Sequence, residues 1–316
     1  MTNQIESILI IKLGALGDFV QALGPCAAIR RHHSDARITL LTTAPFIELA
    51  ELSGYFDDIW IDDRPAWWRV LTILALRRRL RSGRFNRIYD LQTADRTSFY
   101  FRLMGRPRPA WSGIAPGCSL PDPNPDRDRL HTIERQRGQL AAAGIEEVPL
   151  PDLSWAQRDT GDGAALDCGF DIAPGFVLLV AGGSAHRPTK RWPAAHFAEI
   201  AKRLSALGHQ PVLLGGPADE AATRTVAMAH PGVVDLTSKT SLIDIVTLAR
   251  AASGAIGNDS GPMHLIAAAG CPSVVMFSSE SDPALCAPRG ADIEILQRAS
   301  LDDLDVNAVE AAMRLR

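Results

Sequence analysis

The chain has no cysteine pair, no long apolar run and no strong net charge, and each absence removes a class of protein. Its five cysteines, Cys26, Cys118, Cys168, Cys271 and Cys286, are scattered and form no C-x-x-C pair. That excludes a disulfide framework or cysteine zinc site and leaves buried, reduced thiols as the expectation. The opening residues 1–7 carry no basic region, and the apolar run 8–11 is too short for a signal core or a membrane span; a cytoplasmic chain is expected. A net charge of −3 argues against a general nucleic-acid binder. Lysine is also missing from Trp60 to Ala110, where twelve arginines stand against four aspartates. No repeat of fixed period is present, and no G-x-G-x-x-G fingerprint follows the first strand-like run, which disfavours a nicotinamide enzyme.

What is present is ordinary globular material, 46% hydrophobic and 22% charged over 316 residues, enough chain for two cores. Strand-like β-branched runs alternate with helical periodicity. In the first half the strands are expected at 7–12, 37–42, 58–61 and 88–91, with helices at 18–32, near 45–52, at 67–80 and at 98–104. A proline-rich and charged stretch, 116–129, reads as a loop, a helix follows at 131–143, and 147–155 reads as the linker. Asp122, Asn124 and Asp126 imitate the start of a calcium loop, but Arg127 stands where its glycine is required, and calcium is rejected. The alternation restarts with strands at 176–180, 211–214, 233–236, 254–256 and 273–277. Helices are expected at 193–207, 218–229, 242–252 and 262–269, with a closing helix at 301–315. Such alternation implies parallel sheets covered on both faces. The expected organisation is two Rossmann-like α/β domains, 1–155 and 156–316, facing across a cleft at the carboxyl ends of their strands.

Three loops carry the candidate chemistry. Lys12-Leu-Gly-Ala-Leu-Gly-Asp18 joins the first strand to its helix, with Gly14 and Gly17 allowing a close backbone approach. Its Asp18 has two readings: a helix cap worth ~1 kcal/mol, or a catalytic carboxylate. The second loop, 181–193, places a glycine pair, Ser184, Lys190 and Arg191 ahead of a helix, a plausible diphosphate cradle that is not a Walker A loop. The third, Gly257-Asn-Asp259-Ser260-Gly261-Pro262-Met-His264, offers backbone N–H groups and a hydroxyl to an anion at a helix N-terminus. Its aspartate, serine and histidine lie too close in sequence for a hydrolase triad, and no G-x-S-x-G is present.

Taken in order, IIKLGALGDFVQALG, TKRWPAAHFAEIAKRL, VLLGGPADE and GNDSGPMHLIAAAG resemble glycosyltransferase family 9, the ADP-heptose:lipopolysaccharide heptosyltransferases and their relatives. The resemblance covers nearly the whole chain. It implies a GT-B fold, with the acceptor held mainly by the N-terminal domain and a nucleotide-diphosphate sugar, most simply ADP-heptose, by the C-terminal one. It also implies an inverting transfer to a lipopolysaccharide inner-core acceptor. Asp18 matches the family's catalytic base, and Lys190 the lysine at the donor diphosphate. Gly17, Ser184, Asp259, Ser260, Gly261 and His264 match phosphate and sugar positions, Glu220 an acidic residue near the ribose, and Thr240 the segment approaching the base. The loop from Ser184 to Lys190 is one residue longer than the family's pattern. Neither a cofactor nor a metal is implied, because no D-x-D pair ends a strand. Arg77, Arg78, Arg79 and Arg81 read either as a solvated helix end or as a basic rim meeting an acceptor or the cytoplasmic membrane face. The alternatives are another nucleotide sugar within the family, a nucleotide-sugar epimerase of the same architecture, and a non-catalytic binding module.

Overall fold

The computed structural model describes residues 5–156, 170–184 and 186–316. The chain divides into two compact units, Met1–Pro151 and Asp152–Arg316, and the division falls inside the 147–155 linker segment. Cys168 lies outside the described residues.

In the first unit the elements run β1 (Ser7–Ile11), α1 (Leu16–His32), β2 (Arg37–Thr42), α2 (Ile47–Ser53), β3 (Asp58–Ile61), α3 (Val70–Ser82), β4 (Arg87–Asp90), α4 (Asp95–Leu103), β5 (Ala110–Gly113), β6 (Leu120–Pro121) and α5 (Thr132–Ala142). The sheet order is β3-β2-β1-β4-β5-β6, and every pairing is parallel. Central β1 is SILII because it is covered on both faces: Leu9 and Ile11 enter a cluster with Ile88, Phe101 and Trp111, and Ile8 and Ile10 are equally buried.

The second unit repeats the scheme with β7 (Val177–Val180), α6 (Ala194–Ala206), β8 (Pro211–Leu214), α7 (Glu220–Ala229), β9 (Val234–Asp235), α8 (Leu242–Ala251), β10 (Gly254–Asn258), α9 (Gly261–Ala268), β11 (Ser273–Phe277), α10 (Pro283–Cys286), β12 (Ile293–Gln297) and α11 (Val306–Ala312). Its parallel sheet is ordered β12-β11-β10-β7-β8-β9. In both units the chain builds outward from the first strand on one side and then returns to its other side. The order therefore reverses between β1 and β4, and between β7 and β10. Open α/β sheets bind ligands outside the carboxyl ends of strands at such reversals.

Four sequence expectations need correction. The 116–129 loop contains β6, and β5 precedes it; both are short and glycine- or proline-bounded, so periodicity is silent there. The edge strand β12 and the one-turn α10 are additional elements. The expected closing helix over 301–315 is two pieces, a 3-10 turn at Leu301–Asp303 and α11, because Asp305 accepts from the backbone N–H groups of Asn307 and Ala308 and so starts a new helix. Cys26, Cys118 and Cys271 are buried as expected, but Cys286 is partly exposed. Among the described residues no helix is long and apolar enough to cross a membrane. Asp122 is engaged by Arg127, at 2.8 Å from its Oδ2.

Candidate functional site

Asn258 closes β10 and is fully buried. Its Nδ2 donates to the carbonyls of Ala181 and Gly182 at 3.0 Å each, and its Oδ1 accepts from the N–H of Trp192 at 2.8 Å. One side chain thus ties both ends of the 181–192 loop to the β10 terminus. Trp192 fixes the far end more firmly. Its indole is 1% exposed and donates to the Leu304 carbonyl at 2.7 Å, which anchors Arg191 and Lys190 immediately before it. Lys190 Nζ lies 2.5 Å from Asp259 Oδ2, and both side chains are largely enclosed. The same carboxylate oxygen accepts from Ser281 Oγ at 2.7 Å, which brings in the loop after β11.

Ser260 is the N-cap residue of α9, but its hydroxyl makes no cap bond. Its Oγ is enclosed and is without a protein partner. Gly261 opens the helix, Pro262 follows in its first turn and His264 is buried in the next. The result is a helix N-terminus with a hydroxyl and a lysine ammonium at the strand-order reversal, a set suited to an anion.

On the other side of β7, Asp219 holds two glycine turns together. Its Oδ1 accepts from Gly183 N at 3.2 Å and its Oδ2 from Gly216 N at 3.0 Å, while Arg191 reaches Oδ1 at 3.3 Å and donates to the Gly183 carbonyl at 2.6 Å. A side chain at Gly182 would meet this carboxylate at 2.3 Å. Glycine is required there by contact. Neighbouring Glu220 begins α7, points into solvent and lies 3.7 Å from Arg224. Thr240 is partly buried just before α8, in a segment that Ser238 ties to the Gly215 carbonyl at 2.8 Å. Ser184 is exposed, and its carbonyl accepts from Arg187 N at 3.1 Å.

In the first unit the reversal lies between β1 and β4. Gly14 adopts φ +116°, and a side chain there would meet the Phe46 ring at 2.9 Å. Gly17 and Asp18 are the second and third residues of α1, whose N-cap is Ala15. Asp18 is therefore not the helix cap; its half-buried carboxylate sits within the first turn. Lys12 runs beneath this loop, fully buried, and donates to the Leu91 carbonyl at 3.1 Å. Burial holds its ammonium below the usual lysine range, opposed by the negative charges of Asp18 and Asp90. Asp90 ends β4, and burial pushes its carboxyl up to about 6 against hydrogen bonds from Gln92 and Thr93 N–H.

The four rim arginines separate. Arg79 turns back, donating to the Ile61 carbonyl at 2.9 Å and stacking 4.8 Å over Trp60, so it belongs to the fold of its own unit. Arg77, Arg78 and Arg81 are exposed.

The model of glycosyltransferase family 9 (heptosyltransferase) matches residues 73–305. This chain belongs to that family. The match takes in both candidate loops of the second unit, 181–193 and 257–264, and begins beyond Asp18. Among curated relatives, lipopolysaccharide heptosyltransferase 2 of Salmonella typhimurium is 32% identical over 162 residues, 49% of this chain and 46% of the relative. The Escherichia coli protein of the same name is 28% identical over 219 residues, 64% and 62% respectively. The chain therefore spans about half to under two thirds of these relatives. Among solved structures, E. coli ADP-heptose LPS heptosyltransferase II superposes with TM-score 0.80 at 22% identity, covering 97% of each chain. E. coli heptosyltransferase WaaC with ADP gives 0.75 at 18%, covering 96% of this chain and 98% of that one. The shared two-domain GT-B fold is what those superpositions establish.

In this family 9 chain the sequence marks Arg191 as a cradle residue, but not the other interior supports of the loops, Asn258, Asp219 and Ser281. Two of these three lie inside motifs the sequence marks, Asn258 in GNDSG and Asp219 in GGPADE. A polar residue directly after a buried strand, beside glycines, was the available signal.

Proposed function

We propose that this chain is an inverting, metal-independent glycosyltransferase that moves heptose from ADP-heptose to a lipopolysaccharide inner-core acceptor at the cytoplasmic side of the membrane. Units 1–155 and 156–316 divide the work, the first holding the acceptor and the second the donor. One observation carries the reading: the ion pair of Lys190 and Asp259 stands beside the uncapped N-terminus of α9, where the strand order reverses between β7 and β10. The donor diphosphate lies on Ser260, Gly261 and Lys190, with Ser184 and His264 at its edge and Glu220 and Thr240 toward the nucleoside. Asp18 removes the acceptor hydroxyl proton as that oxygen attacks the anomeric carbon from the face opposite the diphosphate. The glycosidic bond forms, the bond to ADP breaks, and Lys190 with the α9 amides stabilises the charge on the departing diphosphate.

Two measurements test this. A thermal-shift panel of ADP, UDP and GDP should stabilise the protein with ADP; a response to UDP or GDP alone would reassign the donor. With ADP-heptose and a heptose-free core lipid, Asp18→Asn should lower kcat by about two to four orders of magnitude while keeping the ADP shift, and wild-type turnover should survive chelation. Transfer by the Asp18 variant at the normal rate removes the base from the scheme.

A further inference from the structure

Helix α3 does little for the core of its own unit. Of its thirteen residues only Leu80 is buried. Before and along its first turns Trp67 is 76% exposed, Trp68 67%, Val70 63%, Leu71 84% and Leu74 47%, so five of the eleven large exposed apolar side chains among the described residues fall within eight positions. Scattered surface leucines need no explanation, but a contiguous apolar face marks an interaction surface. The charge beside it is one-sided. Residues 64–84 hold seven arginines and no acidic residue. Past the apolar turns, Arg81, Arg84 and Arg108 line a recess of about 440 Å³ floored by Phe85, Met104 and Pro107.

We propose that α3 and the Trp67-Trp68 turn form a docking surface for an anionic membrane, the apolar residues entering the interfacial layer and Arg77, Arg78, Arg81 and Arg84 meeting lipid phosphates. Apolar and basic side chains adjoining on one short helix match what an interfacial helix uses, and indole rings favour the headgroup boundary. A second copy of this chain is disfavoured as the occupant, because residues 64–84 offer no carboxylate to meet the other copy's Arg77, Arg78, Arg81 and Arg84 across a self-complementary contact. The surface stands independently of which sugar or nucleotide the enzyme uses.

The test is co-sedimentation of the full chain with phosphatidylglycerol-containing vesicles and with pure phosphatidylcholine vesicles. The protein should pellet with the anionic vesicles, release at high salt, and show tryptophan quenching by brominated acyl chains. Replacing Trp67, Trp68 and Leu71 together by serine should abolish quenching. Replacing Arg77 and Arg78 by alanine should weaken binding about fivefold each. Leu71→Glu alone, at a position with nothing packed over it, provides a variant that folds; it should lose binding while retaining its nucleotide-induced thermal shift. Equal binding to both vesicle types, binding unchanged in Leu71→Glu, or a dimer that dissociates in that variant would overturn the proposal.

Discussion

Lys12 and Asp90 are both fully enclosed, at the carboxyl ends of β1 and β4, and both are shifted toward neutrality by loss of solvation. For Asp90 the direction has a measurable consequence. Its carboxyl is raised from 3.8 to about 6 in the folded protein, so between those values the native state holds more proton at this site than the unfolded chain. Stability from this group is complete below the unfolded value and is lost as pH rises through about 6. Urea denaturation of wild type and Asp90→Asn across pH 4–7 should show the wild type losing stability relative to the variant by on the order of 3 kcal/mol as pH rises. Parallel curves would mean that Asp90 does not carry this burden. The asparagine keeps an acceptor for the Gln92 and Thr93 N–H groups, which isolates the charge from the hydrogen bonds.

Elements are held at their crossings by residues that have no room to grow. At Gly257 an added Cβ would stand 2.5 Å from Met263 Sδ and 2.8 Å from Val180 Cβ, so β10 would be pushed from both β7 and α9. Gly138, inside α5, has nothing within 4 Å of that position. Gly257→Ala should therefore cost about 1–3 kcal/mol and weaken ADP binding, because Asp259 and Ser260 ride on the displaced strand. Gly138→Ala should gain up to about 1 kcal/mol from helix propensity. Calorimetric melting of the two variants checks the opposite signs, and equal shifts would refute the packing argument. The same contrast explains what was legible. The inner strands β1, β2, β7, β8 and β11 are continuous apolar runs because both their faces are covered, and that pattern is local. Short β5 and β6 and partly exposed β12 draw their identity from neighbouring strands, which no local pattern records. At the candidate site the glycine loops and their charges stood out at strand ends. The bonds by which Asp219 reaches Gly183 and Asn258 reaches Trp192 and Ala181 join residues 36 to 77 positions apart, and the return of Arg79 onto Trp60 depends on where β3 passes.

At the scale of the molecule, the same strand order appears twice, and each unit has its own core and its own loop cluster at its order reversal. The proposed division of labour predicts that a nucleotide product without acceptor acts on one unit only. Hydrogen exchange with saturating ADP should slow amides in 181–192, 215–220 and 257–264, where the α9 N-terminus, the Asp219-held turns and the Lys190–Asp259 pair stand, because bound ligand suppresses local opening. The 12–18 loop carries Asp18 on a turn held by Lys12, which donates to the Leu91 carbonyl, and by the Leu13 N–H, which donates to Gln92, so its exchange should be unchanged by ADP and slow only with an acceptor lipid. Protection by ADP at 12–18 with none at 257–264 would exchange the roles of the two units. Equal protection in both would mean that the donor spans them from the start, and Asp18 would then belong to the donor site rather than to the acceptor's approach.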